Sequence, residues 1–530
     1  MLDTYALGEV LEENGFRDFS GVPCSYLAPL INYAINEGRF VMANNEGEAV
    51  AIASGVSLAG NSSLGERHSA SSDKSLNLHS DFRSLTSSKL LQSSLDNNDF
   101  SSQILECQET SQDSKLSAKS KKHTFGVVLM QNSGLSNALS PLTSLNHTFG
   151  IPILGFVSLR GDRDEQGRNT DEPQHELLGV ITDKLLETCE VAYAFLSADF
   201  DEAKKQVRHA REVLESHKSF FFIVRDKTFS KVALDTRISG KPRAECRANS
   251  ESNVGLESSF TDSKIITEST TLQNLDSQKS EFAHTEPHKI LASCDDFRSF
   301  SSERAGSYLS GSDQTRTQKS TKSAQEANLP KEAKETLPTR LQALETIHTI
   351  ATDSQSVLLA TTGKCGRELY ELGDRDNQLY MVGSMGCVGA LGLGIALKSD
   401  KKVMVIDGDS ALLMRLGALS TNAYYAKMRD MGNFCHILLD NESHDSTGGQ
   451  FNLSPFVDFC AIARACGYEC VYHMCDVGEL GEALRAFVRC KSGGAWFVYL
   501  RIAKGSKEPL GRPKITPKQV AIRLRGFLAR

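Results

Sequence analysis

Short apolar runs recur through the second half of the chain, separated by segments of mixed polarity. Between residues 338 and 530 these runs read SVLLATTG, KKVMVIDGD, CHILLDN and AWFVYLRIA. Their apolar residues are continuous and do not alternate with polar ones, which is typical of strands buried on both faces of a parallel sheet. Helical segments such as GALGLGIALK and VDFCAIARACG lie between them. The pattern predicts an α/β fold in which helices cover both faces of a largely parallel sheet.

The first part of the chain contains a second set of apolar runs. They occur in RFVMANNEGEAVAIASGVSLAG, HTFGVVLMQNSGL, IPILGFVSL and SFFFIVRDK. The same alternation of strands and helices predicts a second α/β domain. We therefore expect one domain at residues 1–228 and another at residues 338–530, each able to close its own core.

Two polar segments interrupt this pattern. Residues 61–122 and 229–337 are rich in serine, asparagine and charged residues, and they lack sustained periodicity. Such segments offer too little apolar surface to offset the entropy of an ordered chain, so we predict a disordered insertion and a low-complexity linker. The entropy of closing a loop grows slowly with its length. Deleting either segment is therefore predicted to preserve activity.

Composition excludes several classes of function. The net charge of -7 gives no global reason to bind nucleic acid. The 13 cysteines are scattered without CxxC spacing, which favours reduced thiols over disulfides or a zinc site. The start MLDTYALGEVLEENGF does not have the pattern of a signal peptide, and no apolar stretch approaches the length of a membrane span. We expect a cytoplasmic protein that binds neither nucleic acid nor membranes.

The strand VMVID leads into a polar junction of four residues, Gly408, Asp409, Ser410 and Ala411. In open α/β sheets, ligands bind beyond the carboxyl ends of the strands, where helices begin with free amides. The amides of Ser410 and Ala411 could hold a phosphate group while the Asp409 carboxylate reaches a metal bound to that phosphate. The alternative is that Asp409 only caps the helix.

The next strand, CHILLD, ends at Asp440 and Asn441, so two polar strand ends are expected side by side. Mg²⁺ prefers oxygen ligands in proteins. Asp409, the Asn441 amide oxygen and the backbone carbonyl of Ser443 are therefore the predicted metal ligands.

The pair Gly408-Asp409-Ser410 and Asp440-Asn441 resembles the thiamin-diphosphate motif of the thiamin-dependent decarboxylases and synthases. Ser410 stands where the family has glycine, and Asp440 stands where it has asparagine. If position 410 required a positive φ, serine would cost on the order of 1 kcal/mol or more. We expect instead that Ser410 adopts the turn, with its amide facing the diphosphate and its hydroxyl able to add a hydrogen bond.

The resemblance implies further cofactor contacts. Glu46, in MANNEGEAVAIASG, matches the glutamate that hydrogen-bonds N1′ of the aminopyrimidine ring and activates the cofactor. A helix-start acid favoured by the helix dipole is the alternative for this residue. Met385, in GSMGCVGALGLGIAL, matches the apolar side chain that holds the cofactor bent. Thr362, Gly363 and Ser384 are implied as additional cofactor contacts.

Further stretches narrow the resemblance to the phosphonopyruvate decarboxylase family, with sulfopyruvate decarboxylases as close relatives. They are GVPCSYLAPLINYA, DEPQHELLG, TTGKCGRELYEL, LLDNESHDSTGGQ and LGRPKITP. The resemblance implies a pyrimidine-binding domain followed by a diphosphate-binding domain, with thiamin diphosphate and Mg²⁺ as cofactors. The implied reaction is decarboxylation of phosphonopyruvate to phosphonoacetaldehyde and CO₂ in phosphonate biosynthesis. It also implies a homodimer or larger homo-oligomer, in which Glu46 of one subunit faces the Asp409 site of another.

A substrate with a carboxylate and a phosphonate needs a cluster of donors, and arginine suits such groups. The candidates are Ser25, Arg160, Arg163, His175, Lys364 and Arg367. His444, which follows the metal loop, is expected to donate to the substrate or transfer a proton. The adjacent STGGQ has the small residues of a mobile closing loop.

Three alternatives remain at this level. The substrate could be sulfopyruvate or another 2-oxo acid. The chain could be an inactive thiamin-fold scaffold, a possibility that Ser410 and the long insertions leave open. A nucleotide-binding Rossmann protein is disfavoured, because GxGxxG is missing from a first strand-helix junction and GALGLG at 389–394 falls inside a predicted helix.

Overall fold

The computed structural model describes residues 1–60, 123–169, 171–235 and 337–530. The predicted insertion at residues 61–122 and nearly all of the predicted linker at 229–337 lie outside the described residues. Within the described residues the α/β class is confirmed, because parallel strands alternate with helices in both halves.

The first half contributes one six-stranded sheet. Its strands are β1 (Asp18–Gly21), β2 (Phe40–Met42), β3 (Gly126–Gln131), β4 (Leu154–Ser158), β5 (Ala192–Phe195) and β6 (Phe220–Val224). Its helices are α1 (Thr4–Glu13), α2 (Ala28–Asn36), α3 (Glu46–Ala59), α4 (Leu135–Pro141), α5 (Glu176–Thr188) and α6 (Phe200–Glu215). The strands pair in parallel in the order β2-β1-β3-β4-β6-β5.

The second half contributes another parallel sheet, in the order β13-β14-β10-β9-β7-β8. Its strands are β7 (Val357–Ala360), β8 (Gln378–Tyr380), β9 (Val403–Gly408), β10 (Phe434–Asp440), β13 (Cys470–Met474) and β14 (Trp496–Arg501). Two short strands, β11 (Ser443–His444) and β12 (Gln450–Phe451), form a separate antiparallel pair. The helices are α7 (Arg340–Asp353), α8 (Lys364–Leu372), α9 (Val388–Ala396), α10 (Asp409–Met414), α11 (Ala418–Met428), α12 (Phe459–Cys466), α13 (Val477–Arg489) and α14 (Pro517–Leu528).

Burial on both faces explains why the strands read as continuous apolar runs. In β3, Val127 and Leu129 join one hydrophobic core, whereas Val128 and Met130 join another on the opposite face. Successive side chains of a strand point to opposite faces, so a strand covered on both sides needs apolar residues at every position. Helices cover both faces of the first sheet, as expected.

One hydrophobic core continues from the first half into the second through α3 and α9. The two helices approach at the level of their backbones, because a Cβ at Gly55 would overlap the carbonyl of Leu391 and a Cβ at Gly394 would overlap the carbonyl of Ile52. Glycine permits such close approach because it has no side chain. The crossing therefore places the start of α3 against the second half of the same chain.

The first half extends beyond the expected boundary at residue 228. Ser230 donates its backbone N–H to the carbonyl of Leu2 at 2.8 Å, and the Asn32 amide donates to the carbonyl of Val232 at 2.9 Å. Phe229 is buried beside them.

Within the described part of the chain, none of the helices is both long enough and apolar enough to cross a membrane.

Candidate functional site

A cavity of about 90 Å³ lies at the carboxyl edge of the second sheet. The register of the sheet creates it: Gly408 of β9 pairs with Leu439 of β10, so the polar residues that follow the two strands are neighbours. Predicted site residues from four separate segments line this cavity: Thr362, Lys364, Met385, Gly408, Asp409, Ser410, Ala411, Asn441, Ser443 and His444.

Asp409 presents one carboxylate oxygen to the cavity. Its Oδ1 accepts hydrogen bonds from the Ser410 backbone N–H at 2.5 Å and from the Ser410 hydroxyl at 3.1 Å. Its buried Oδ2 receives no donor from the described residues, and the same holds for the buried Ser443 hydroxyl. A buried carboxylate oxygen without a donor is costly unless a cation meets it. Asp409 is also the first residue of α10 and not its cap, so this environment fits a metal ligand.

Asp440 adds a second carboxylate at this edge. Burial raises its pKa to about 6, and a hydrogen bond between the Asp440 and Asp409 carboxyl groups contributes to the same rise when one of them carries a proton. Two carboxyl groups at close range favour a bound cation, which lowers the free energy of their charged forms. The oxygen donors present therefore fit Mg²⁺.

Ser410 lines the cavity and also bonds Asp409 and Asn452. It lies within helix α10, so the position does not need a left-handed backbone. Its N–H and hydroxyl both bond Asp409, and its oxygen accepts a hydrogen bond from the Asn452 amide at 2.8 Å. Asn452 in turn accepts from the Ser454 hydroxyl at 2.9 Å, and that hydroxyl also bonds Asp440 at 2.8 Å. The two departures from the family motif are thus joined by one hydrogen-bonded network.

Asn441 is oriented by residues that the sequence did not single out. Its amide Nδ2 donates to Asp445 at 2.6 Å, and Asp445 also accepts from Arg340 at 2.7 Å. Arg340 lies 105 residues away in sequence, so no local pattern could have revealed it. Asp445 lies within the quoted LLDNESHDSTGGQ stretch, which was the available signal.

Glu46 begins α3, directly after the capping residue Asn45. Its Oε2 accepts a hydrogen bond from the Asn137 amide at 2.8 Å. Gly134 leaves room for this carboxyl group, because a Cβ at that position would overlap it. Nearby Glu48 is fully buried, and burial raises the pKa of its carboxyl group. Glu46, in contrast, is only partly buried.

The start of α3 contacts the second half of its own chain. The Arg415 guanidinium bonds the Asn45 side chain, and the Cγ of the same residue would lie 3.0 Å from a Cβ at Gly386. The Cys387 thiol lies 3.9 Å from the carbonyl of Gly47. One chain thus places Glu46 near the turn that carries Met385, although Glu46 does not line the cavity itself. The expected site between two subunits stays a prediction.

The remaining cofactor candidates lie beside Met385. Thr362 accepts a hydrogen bond from the Gly383 N–H at 3.1 Å. Ser384 is buried with a φ of 46°, and its hydroxyl lies 2.6 Å from that of Ser144 in the first half. Gly363 has a φ of 102° and precedes α8. Left-handed backbone at these two positions shapes the turns around the cavity.

The substrate candidates fall into separate groups. Lys364 and His444 line the cavity. Arg160, in contrast, binds both oxygens of Asp171 at 2.5 and 2.6 Å, and the Ser25 hydroxyl lies 3.5 Å from the same guanidinium. This arginine lowers the pKa of Asp171 well below its usual range, so its charge is already matched.

Three further candidates are not brought to the cavity. The imidazole of buried His175 lies 3.7 Å from Glu172, in the same loop as Asp171. Arg163 pairs with Glu176 at 3.2 Å. Arg367 lies on α8 outside the cavity lining. Lys364 is therefore the best placed of the predicted cationic candidates.

Comparisons with known proteins identify relatives of this chain. Residues 363–499 match the family model of the thiamine pyrophosphate enzyme C-terminal TPP binding domain. Phosphonopyruvate decarboxylase from Streptomyces viridochromogenes is 30% identical over 516 residues, which cover 97% of this chain and 92% of that protein. The subunit beta of sulfopyruvate decarboxylase from Methanothermobacter thermautotrophicus is 36% identical over 132 residues, which cover 25% of this chain and 68% of that subunit.

Solved structures show the same fold. Benzoylformate decarboxylase from Polynucleobacter necessarius superposes with a TM-score of 0.53 at 11% identity, covering 96% of this chain and 100% of that one. At this identity the likeness concerns the fold alone. It supports the assignment of both halves to one thiamin-enzyme architecture.

Proposed function

The chain belongs to the phosphonopyruvate decarboxylase family of thiamin-diphosphate enzymes, and from this premise we propose that it decarboxylates 3-phosphonopyruvate to phosphonoacetaldehyde and CO₂. Thiamin-dependent decarboxylation of a 2-oxo acid follows from family membership, whereas this particular substrate is the proposal. The observation that carries it is the cavity, where Lys364 lies beside the predicted metal ligands. The charge of Lys364 acts on the buried Glu368 of the same helix, and its place in the cavity lining lets the ammonium group meet an anionic group of the substrate.

The residues at the carboxyl edge of β9 and β10 are proposed to hold the cofactor through Mg²⁺. Asp409, Asn441 and the Ser443 carbonyl are the proposed ligands, and the orphaned Oδ2 of Asp409 supports this assignment. The remaining proposed cofactor contacts are Gly408, Ser410, Ala411, Thr362, Gly363, Ser384 and Met385. Bound thiamin diphosphate supplies the electron sink that carbanion chemistry requires.

We propose that the protein's own side chains orient the cofactor and transfer protons. Glu46 would hydrogen-bond the pyrimidine ring, with Asn137 fixing the direction of its carboxylate. His444 lies in the cavity lining and would hold or move the proton that replaces CO₂. Burial raises the pKa of the nearby Cys365 thiol to about 12, so this cysteine stays protonated and takes no nucleophilic role.

Lys364 is proposed to bind the phosphonate and so to select the substrate. We expect Lys364→Gln to lower kcat/KM for phosphonopyruvate by about 10- to 100-fold, because a charge-assisted hydrogen bond contributes about 1.5–3 kcal/mol. Activity on pyruvate, which lacks a second anionic group, should change much less. CO₂ release measured on phosphonopyruvate, sulfopyruvate and pyruvate tests this, with Lys205→Gln, an exposed lysine of α6 in the first half, as the control.

Sulfopyruvate is the second candidate substrate, because relatives named sulfopyruvate decarboxylase match part of the chain. A higher kcat/KM for sulfopyruvate than for phosphonopyruvate would favour this candidate. Bound cofactor without turnover of any 2-oxo acid would instead favour an inactive scaffold.

A role in phosphonate biosynthesis and a dimer-based homo-oligomer complete the proposal. The free cysteines fit the reducing cytoplasm. The assembly is tested by the molar mass in solution: a dimer or larger species is expected, and a stable active monomer would contradict it.

A further inference from the structure

Arg340 is a buried cation at the edge of the cavity. It is the first residue of α7, which follows a capping box formed by Thr339 and Gln342. Only 7% of the residue is exposed. A buried arginine needs an anionic partner, since desolvation of an unpaired charge is costly. Its Nη2 meets that need by donating to Asp445 at 2.7 Å, and its Nη1 lies 3.6 Å from the buried Glu368.

One carboxylate oxygen of Asp445 accepts hydrogen bonds from three donors. Its Oδ2 accepts from Arg340 Nη2, from Asn441 Nδ2 at 2.6 Å and from the backbone N–H of Gly505 at 3.1 Å. These donors come from the start of α7, the end of β10 and the segment after β14. Asp445 is thus fixed by three separate parts of the second half.

This arrangement determines which way the Asn441 amide faces. A carboxylate can only accept hydrogen bonds, so the side of Asn441 that meets Asp445 must be its NH₂ group. The amide oxygen then points away from Asp445, where it receives only a 3.3 Å contact from the Ser443 N–H. An oxygen with so weak a donor remains able to bind a cation.

We propose that Arg340 and Asp445 form a positioning pair that holds the Asn441 amide oxygen toward the metal of the cofactor site. Arg340 matches the charge of Asp445, so that this carboxylate orients Asn441 and does not compete for the metal. The inference rests on the proposed metal site and extends it to a residue that immediately follows the second polar segment. Partners of this kind orient metal ligands in many proteins, and losing them costs about 10- to 100-fold in affinity or activity.

The test is calorimetric titration of thiamin diphosphate into the full-length protein at several Mg²⁺ concentrations. Asp445→Asn keeps the shape but lets the Asn441 amide rotate, and we expect the apparent Kd for Mg²⁺ to rise by about 10- to 100-fold. Arg340→Met should give a similar rise, whereas Arg340→Lys should restore part of the affinity because it keeps the charge. The exposed pair Arg530 and Asp376, 2.9 Å apart, supplies the controls Arg530→Met and Asp376→Asn, which should leave the Kd unchanged.

Unfolding midpoints of the cofactor-free variants separate positioning from a merely structural role. Weakened Mg²⁺ affinity in variants that keep the wild-type midpoint supports the proposal. Unchanged affinity in Asp445→Asn, or a lowered midpoint with unchanged affinity, overturns it and leaves the proposed function intact. Wild-type protein that binds thiamin diphosphate equally well with and without Mg²⁺ would overturn the metal site and this inference together.

Discussion

At the scale of single residues, the proposed site depends on two carboxylates, and neighbours hold one oxygen of each. Asn137 bonds Oε2 of Glu46, and Ser410 bonds Oδ1 of Asp409 through its N–H and its hydroxyl. Fixing a side chain in this way removes rotational freedom before any ligand arrives. The positions that hold the carboxylates should therefore matter as much as the carboxylates themselves.

Gly134→Ala should disturb Glu46 without disturbing the fold. The backbone at Gly134 has φ −78° and ψ −12°, which alanine adopts readily, but the added Cβ would overlap the Glu46 carboxyl group. Because a displacement of about 1 Å can cost on the order of 100-fold in rate, we expect kcat to fall by about that factor with the unfolding midpoint retained. Gly526→Ala, with no atom within 4 Å of the new Cβ, is the control. Wild-type kcat in Gly134→Ala would contradict this view of Glu46.

Ser410→Ala tests the network that joins the two unusual motif positions. Removing the hydroxyl deprives the Asn452 amide of its acceptor, so the free energy of unfolding should fall by about 1 kcal/mol. Urea denaturation of Ser410→Ala, Asn452→Ala and the double variant measures the coupling. Strictly additive effects would show that the two side chains do not interact in solution.

The site residues that lie within a motif could be predicted from the sequence. The residues that hold them in place by hydrogen bonds could not. Asp409, Asn441 and Met385 were proposed from local stretches, and the structure brings them to one cavity. Asn137 and Arg340 were missed because they reach the site from segments distant in sequence, 91 residues from Glu46 and 105 from Asp445. Arg160 is a predicted substrate donor, but its charge is matched by Asp171, and this pairing could not be predicted from the sequence.

At the scale of elements, the apolar runs predicted the strands well because both faces of each sheet are buried. VMVIDG forms β9 and FCHILLD forms β10, and the GALGLG segment lies inside α9 as expected. Residues 229–235 look polar in the sequence, but they pack onto the first half through Phe229 and through hydrogen bonds to α1 and α2. The close contacts between glycines of α3 and α9 also could not be predicted from the pattern of hydrophobic and polar residues.

Gly394→Ala should weaken the crossing of α3 and α9. The added Cβ would overlap the carbonyl of Ile52, a backbone atom that cannot rotate away. Overpacking of this kind costs about 1–3 kcal/mol, which exceeds the roughly 1 kcal/mol that alanine gains over glycine in a helix. We expect a lower free energy of unfolding by urea denaturation. A variant as stable as wild type would show that the helices can separate without cost.

At the scale of the whole molecule, two similar sheets come together in one chain around a shared hydrophobic core. The α/β class of both halves could be predicted from the apolar runs alone. Their mutual packing could not, because it depends on small residues of α3 meeting small residues of α9 over a long sequence separation. The position of Glu46 relative to the second half thus depends on contacts between the halves.

Deleting residues 61–122 should leave the site intact. The chain leaves and re-enters at adjacent points, since the Thr124 N–H donates to the carbonyl of Gly60 at 3.1 Å. A two-glycine connection can span such a gap, and a shorter loop lowers the entropy cost of closure slightly. We expect unchanged kcat and an unfolding midpoint equal to or above that of wild type. A large loss of folded protein would contradict this prediction.

The most direct test of the whole account is CO₂ release from phosphonopyruvate by wild type and Glu46→Gln, each saturated with thiamin diphosphate and Mg²⁺. Glutamine keeps the size of the side chain but cannot exchange a proton with the ring, and such a role contributes about 10²- to 10⁴-fold in rate. We expect cofactor-dependent turnover by wild type and a loss of that size in Glu46→Gln, with calorimetric cofactor binding retained. Wild-type protein that binds the cofactor and releases no CO₂, or Glu46→Gln with full activity, would contradict it.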